Sequence, residues 1–319
     1  MGNRRIDYID LAKGFGIICI VAVPSGFNCH VFGSLMPMFF VLSGMVFKKY
    51  DNYKIFIKRK VKSLLIPFLF FYFFLWISSL AINIVKSGLI DLESHSFVGD
   101  LLTGIYLNGP IWFVICVFWC NILYYLVSVI KNEYLKILAV LTITGLGLSL
   151  SHFEINNCLD IISACMAIPF FFVGVLFREY DLFSMRFFSV KYSFILGIFI
   201  ILFEYIISCY SPEFDYSFWI AKASGSYIMF YVLCFLQVIG IILICKNIKM
   251  LPLISYCGRN SLIILGVHGL FCYLCYHRER WFGNEWYYDY LQFACCMIFS
   301  LLCIPLLKRF YPFFVGVNK

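Results

Sequence analysis

About ten apolar stretches run through the 319 residues, and the basic residues collect in alternate gaps between them. One set of gaps holds Arg4 and Arg5; Lys48, Lys49, Lys54, Lys58, Arg59, Lys60 and Lys62; Lys131 and Lys136; Arg178, Arg186 and Lys191; Lys246 and Lys249; and Lys308, Arg309 and Lys319. The intervening gaps hold only Lys86, Lys222, Arg278 and Arg280, while Lys13 and Arg259 fall at or inside apolar stretches. Cytoplasmic loops of membrane proteins are enriched in Lys and Arg. The alternation therefore predicts a polytopic integral membrane protein with both N-terminus and C-terminus in the cytoplasm. The expected fold class is all-α, with about ten transmembrane helices in a single domain over residues 1–319.

Composition agrees. The chain is 63% hydrophobic and 13% charged, with mean hydropathy +0.91, against about 25% charged residues in soluble domains. A soluble core of this size has no room for so much apolar surface. The net charge of +8 then reads as a topology signal. Nucleic acid is excluded as a partner, because no basic stripe is interleaved with exposed aromatics on a polar domain. Basic Arg4 and Arg5 precede an apolar run, but Asp7, Asp10 and Lys13 crowd it, so a retained first helix is expected rather than a cleaved signal peptide. The 15 cysteines lie mostly in apolar runs, where cysteine acts as a small hydrophobe. Cys272 and Cys275 have C-x-x-C spacing, yet no second pair completes a zinc site. Neither a metal nor a disulfide framework is expected.

A spanning helix needs about 20 apolar residues. The spans fall at 9–27, 34–48, 63–85, 109–130, 136–151, 159–177, 192–210, 223–245, 253–276 and 289–307. The first carries Asp10 and Lys13 near its inner end, and the second holds Met36-Pro37-Met38 and Ser43-Gly44. Pro and Gly inside membrane helices free backbone groups that are commonly satisfied beside a cavity; a purely structural kink is the alternative. Between spans two and three, Lys54, Lys58 and Lys62 recur every four residues, opposite Ile57, Val61, Leu64 and Leu65. That pattern predicts an amphipathic helix at the inner membrane surface. It serves either as plain attraction to anionic headgroups or as a dock for a cytoplasmic ligand bearing several phosphates.

Four segments resemble the membrane-bound acyltransferase 3 family, which includes bacterial O-acetyltransferases of surface polysaccharides. Arg5-Ile-Asp-Tyr-Ile-Asp-Leu-Ala-Lys-Gly-Phe-Gly-Ile17 is similar to the family's opening R-x-x-x-I-D-x-A-K-G-I-G-I. Met36-Pro-Met-Phe-Phe-Val-Leu-Ser-Gly44 is similar to M-P-L-F-F-x-I-S-G and leads to a basic loop ending in Leu64-Leu65-Ile66-Pro67. Gly109-Pro-Ile-Trp-Phe-Val114 is similar to G-P-x-W-F-L. Tyr256-Cys-Gly-Arg-Asn-Ser-Leu262, with His268, is similar to G-x-x-S-L-x-I-Y-x-x-H. Their order and spacing cover nearly the whole chain.

The resemblance implies transfer of an acyl group, most often acetyl, from acetyl-CoA or another acyl-CoA to a hydroxyl of a cell-surface polysaccharide, an exopolysaccharide or a lipid-linked sugar. It implies a multi-pass protein of the bacterial inner (plasma) membrane, in contact with membrane lipids. A hydroxyl attacking a thioester needs a base for its proton, and a histidine near neutral pKa suits that task. The oxyanion that develops needs a cation or hydrogen-bond donors, and CoA phosphates need basic residues on the inner side.

Here the chain departs from the family. Members commonly carry His eleven residues after the basic residue of the first helix. Lys13 fits the basic position, but the later one is Pro24, and the histidine common before the second helix is absent, with Ser34-Leu35 preceding Met36. Three readings stay open: His30 takes over as base, His268 works with another group, or the protein is an inactive relative or a transporter of a polysaccharide precursor. The candidate catalytic residues are Lys13, His268 and His30. Lys58, Arg59, Lys62 and Arg259 are expected at the CoA phosphates, and Asp10, Ser43, Trp112 and Asn260 along the substrate. Lys13 has the alternatives of snorkelling or pairing with Asp10, Arg259 and Asn260 of capping a helix, and Trp112 of anchoring at the interface. Glu154, Asp160, Glu204 and Asp215 are further acidic positions that no spacing singles out for sugar binding.

Overall fold

A computed structural model describes residues 7–25, 35–87, 97–104, 106, 109–182, 190–210, 216–217, 222–223, 226–248, 251–275 and 287–316. The helices in chain order are α1 (Asp7–Ala22), α2 (Leu35–Met45), α3 (Tyr53–Lys60), α4 (Ile66–Ser87), α5 (Phe97–Thr103), α6 (Trp112–Val127) and α7 (Glu133–His152). They continue with α8 (Ile161–Glu179), α9 (Val190–Tyr210), α10 (Tyr227–Asn247), α11 (Pro252–Arg259), α12 (Ser261–Cys275) and α13 (Tyr287–Phe310). The all-α expectation holds, apart from an antiparallel pair of two-residue strands, β1 (Tyr216–Ser217) and β2 (Lys222–Ala223).

All ten apolar stretches are helical, and among the described residues six runs are long and apolar enough to cross a membrane: Tyr53–Ala81, Gly109–Val127, Glu133–His152, Cys158–Glu179, Tyr227–Asn247 and Tyr287–Phe310. Six of the ten expected spans are thus met in full among the described residues. The first helix ends at Ala22, in a 3-10 turn Val23–Ser25 around Pro24, where the missing N–H prevents continuation. The second is an 11-residue helix, about 16 Å long at 1.5 Å per residue, half the thickness of a bilayer core. The ninth is broken at Asn260 into α11 and α12.

Helix α2 is apolar all round, and Leu35, Pro37, Met38, Phe39, Phe40, Val41, Leu42, Gly44 and Met45 are all buried. Such a helix belongs inside a bundle rather than at its rim. It packs on α8, α1, α10 and α6. Two glycines make the α2–α8 contact possible: a Cβ on Gly44 would run into the Phe171 carbonyl, and one on Gly174 into that of Val41. Small residues allow this backbone approach where helices meet without water to drive association. Gly14 and Gly258 do the same for α1 and α11, facing the carbonyls of Ile254 and Asp10.

The amphipathic helix expected between spans two and three is α3. Asn52 caps it, its Oδ1 accepting from the Lys54 N–H at 2.9 Å and the Ile55 N–H at 3.4 Å. Lys54, Lys58 and Lys62 are exposed and Phe56 is buried, stacked on Tyr125 with ring centroids 4.4 Å apart. A π-helical turn, Val61–Leu65, joins α3 to α4 without a break, and such turns often mark functional positions.

At the far end of α8, Leu159 and Asp160 adopt left-handed φ of 49° and 56°. The strain, of order 1–3 kcal/mol per residue, is held by a buried polar cluster. Tyr106 donates to Asp160 Oδ2 at 2.8 Å, and Asn157 Nδ2 reaches Asp160 Oδ1 at 3.2 Å and Ser163 Oγ at 2.8 Å. Burial, and then the Asp160 carboxyl, push the Tyr106 phenol well above its ordinary value. Asp160 is thus occupied in tying the α5–α6 connection to α8.

Candidate active site

A cleft with about 560 Å³ of free space, its mouth included, opens between α1, α2, α6, α12 and the π turn. Lys13, Ile17 and Ile20 line it from α1, Phe39 and Ser43 from α2, Leu64 from the π turn, and Phe113, Val114 and Val117 from α6. Ser261, Leu262 and Leu265 complete it from α12. All four motif segments, far apart in the chain, thus contribute to one wall-to-wall space, together with the end of the basic loop. Its character is apolar with a few polar groups: one ammonium and two hydroxyls.

Local structure explains the placement. Lys13 sits two turns into α1, beside Gly14, whose contact with Ile254 fixes the height of α1 against α11. Asp10, one turn earlier, is close enough to act on Lys13 electrostatically, but it does not line the cleft. The break at Asn260 turns the start of α12, Ser261 and Leu262, toward the same space. The N–H groups of Ile263 and Ile264 already donate to the Asn260 carbonyl at 3.0 and 3.1 Å, so it is the start of α12 at Ser261 and Leu262 that adds the positive potential of a helix N-terminus to the Lys13 charge. Asn260 is 2% exposed; its Nδ2 donates to the Tyr256 carbonyl at 2.7 Å, and its Oδ1 has no partner among the described residues. Arg259, one residue earlier, is exposed.

His268 lies one helical turn past Leu265, is fully buried and does not itself line the cleft. Its Nδ1 is 3.1 Å from the Ile264 carbonyl and 2.9 Å from that of Leu265. Two carbonyl acceptors require a proton on Nδ1, which leaves the lone pair on Nε2. Nε2 has no hydrogen-bond partner among the described residues. The ring is therefore held in the tautomer that a base requires.

The other candidates divide. Trp112 is buried beside Phe40, centroids 6.4 Å apart, and its neighbour Phe113 faces the cleft instead. Lys58, Arg59 and Lys62 lie outside the cleft: Arg59 Nη1 donates to the Tyr50 hydroxyl at 2.9 Å, and Lys62 sits 5.3 Å from the centre of the Phe313 ring. His30 falls outside the described residues. Pro24 lies about 16 Å along α1 from Lys13 at 1.5 Å per residue, and its carbonyl accepts from Gln292 Nε2 at 3.3 Å. Among the described residues, no three His, Cys, Asp or Glu side chains cluster as a metal site would require.

Sequence reasoning missed Ser261 and Leu64 as lining residues. The first stands inside a quoted motif, one residue after Asn260, so the signal was present one position away. Leu64 was read as part of a lipid-facing stripe; the π turn is what carries it to the cleft.

No curated protein and no solved structure matches the chain. The family profile described as an acyltransferase domain matches residues 6–310, nearly the whole length and all four motif segments. The helices that build the cleft all fall within that match, and the apolar runs mark a membrane protein. The chain belongs to the acyltransferase 3 family.

Proposed function

We propose that this protein transfers an acyl group, in the first instance acetyl, from an acyl-CoA to a hydroxyl of a cell-surface polysaccharide, exopolysaccharide or lipid-linked sugar. It does so as a multi-pass protein of the bacterial inner membrane with its basic end in the cytoplasm. The observation that carries the reading is the convergence of the four motif segments on the Lys13 cleft.

The walls formed by Ile17, Phe39, Phe113 and Leu265 suit a short acyl chain and exclude water, which strengthens any charge interaction inside. The acceptor hydroxyl attacks the thioester carbonyl carbon, the carbonyl oxygen becomes an oxyanion, and the C–S bond breaks to release CoA. Lys13 and the N–H groups at the start of α12 stabilise the oxyanion. His268 Nε2 takes the hydroxyl proton and returns it to the departing sulfur. Ser43, Asp10, Asn260 and Trp112 shape and support the substrate path. Lys58, Arg59, Lys62 and Arg259, at the same end of the bundle as the mouth of α1, attract the CoA phosphates. That attraction weakens with salt.

A second reading, an inactive relative or a precursor transporter, is favoured by Pro24, which puts a helix-ending turn docked on Gln292 where relatives carry a base. Membranes containing the protein, given acetyl-CoA labelled in the acetyl group and the cell's own surface glycan, separate the two. Label in the glycan, lost in Lys13→Ala and His268→Ala, is the expected result. Full transfer by both variants overturns the site assignment. No transfer and no salt-sensitive binding of acetyl-CoA by the native protein establishes the second reading.

A further inference from the structure

A second cleft, with about 1120 Å³ of free space, opens at the basic end of the bundle, away from Lys13. It lies among the α2–α3 connection, the end of α6, the start of α7 and the end of α8. Among the described residues, Lys48, Lys49, Lys136 and Arg178 line it, against a single carboxylate, Glu179. Glu133 also bonds Lys136, at 2.6 Å, so the rim keeps an excess of positive charge. Two of the cations are pinned: Lys49 Nζ donates to the Ser128 carbonyl at 2.6 Å, and Arg178 Nη1 to the Phe47 carbonyl at 2.8 Å. Each bond uses one of the three donors of a lysine or the five of an arginine. The remaining donors are held in a fixed arrangement around the opening.

We propose that this cleft binds the phosphate of an anionic lipid headgroup. Phosphate is the shared chemistry of a lipid and a soluble nucleotide, and the surroundings favour the lipid. The cleft sits where α6 and α8 end and α7 begins, the level of the headgroups in a membrane, and basic pockets between helices at that level hold anionic headgroups. Beside it, α7 exposes Leu135, Leu138 and Leu141, and α6 exposes Leu126. These leucines lie on the faces of α7 and α6 turned away from Lys136 and Ser128, so the cleft adjoins lipid-facing surface that takes up the acyl chains of the same molecule.

The test uses the purified full-length protein in bilayer discs of phosphatidylcholine mixed with phosphatidylglycerol, followed by native mass spectrometry of the retained lipid. The wild type is expected to retain phosphatidylglycerol. The triple variant Lys48→Gln, Lys49→Gln, Lys136→Gln is expected to lose roughly a hundredfold in that retention, and the exposed single change Lys48→Gln several-fold, from the contribution of each basic residue near an anionic headgroup. Lys246→Gln with Arg309→Gln, an equal kind of charge loss outside the cleft, is expected to keep it. Unchanged retention in the triple variant overturns the proposal. So does displacement of phosphatidylglycerol from the wild type by adenosine 3′,5′-bisphosphate, which would assign the cleft to a soluble phosphate. The single change on an exposed residue keeps the test valid if the triple variant does not fold.

Discussion

Lys13 and His268 are held by opposite means, and their variants separate a chemical role from a structural one. Lys13 projects into an open apolar cleft, so Lys13→Met keeps the stem's volume and removes only charge. Loss of one oxyanion-stabilising group costs about 10²–10³-fold in turnover, and that fall, with the helical circular dichroism unchanged, is expected in membranes assayed with labelled acetyl-CoA. His268 is buried and anchored through Nδ1. His268→Asn retains a donor that reaches back along the helix, so the thermal midpoint is expected to stay near that of the wild type. Transfer falls by about 10²–10⁴-fold, the usual contribution of a general base. A purely structural histidine predicts the reverse, rescue by Asn. Legibility at this scale followed the chemistry. An ammonium in an apolar helix is costly enough to be noticed in sequence. The acidic Asp160, in contrast, gave no hint that Tyr106 and Asn157 surround it, because those contacts join residues far apart or in an unusual backbone conformation.

Among the helices, the decisive contacts are made by backbone against backbone. Gly258→Val places side-chain atoms against the Asp10 carbonyl and the Gly14 N–H, and neither can move without shifting α1. Overpacking of this kind costs about 1–3 kcal/mol or more. Because Gly14 adjoins Lys13, the same change is expected to displace the ammonium. The thermal midpoint and transfer activity therefore fall together. Gly145→Ala is the matched control: nothing lies within 4 Å of a Cβ there, and replacing a mid-helix glycine gains about 0.5–1 kcal/mol. A rise, or no change, in the thermal midpoint is expected for it. Sequence reading found the apolar segments but not their joints. Hydropathy averages over 253–276 and passes across the break at Asn260. It equally assigns α2 a full crossing, although 11 residues reach only half-way and are buried by their neighbours. The α3 helix was legible because a four-residue lysine period is a local signal; its Asn52 cap was equally local and went unread. The π turn after it was not, since it depends on packing against α6.

For the whole molecule, the argument turns on which end carries charge. Among the described residues, the basic end holds Lys48, Lys49, Lys54, Lys58, Arg59, Lys60, Lys62, Lys131, Lys136, Arg178, Lys191, Lys246, Arg259, Lys308 and Arg309, while the opposite end shows Lys86 and Lys222. The bundle sorts them by geometry alone: α1 starts, α2 ends, α6 ends, α7 starts, α8 ends and α13 ends at one face. That agreement was legible from the sequence because charge bias is a sum over loops and survives errors in individual helix limits. Lys and Arg resist translocation, so the proposed orientation puts the basic face in the cytoplasm, where acyl-CoA is made. A green fluorescent protein fused after Lys131 is then expected to fluoresce, and alkaline phosphatase fused after Asn156, at the opposite end, to be active. The reverse pattern would place both the Lys13 entrance and the basic cleft outside the cell. Acyl-CoA would no longer reach the motif-built site, so the transferase reading would fall with the orientation, whereas agreement would leave the donor entering from the same face that carries the phosphate-attracting residues.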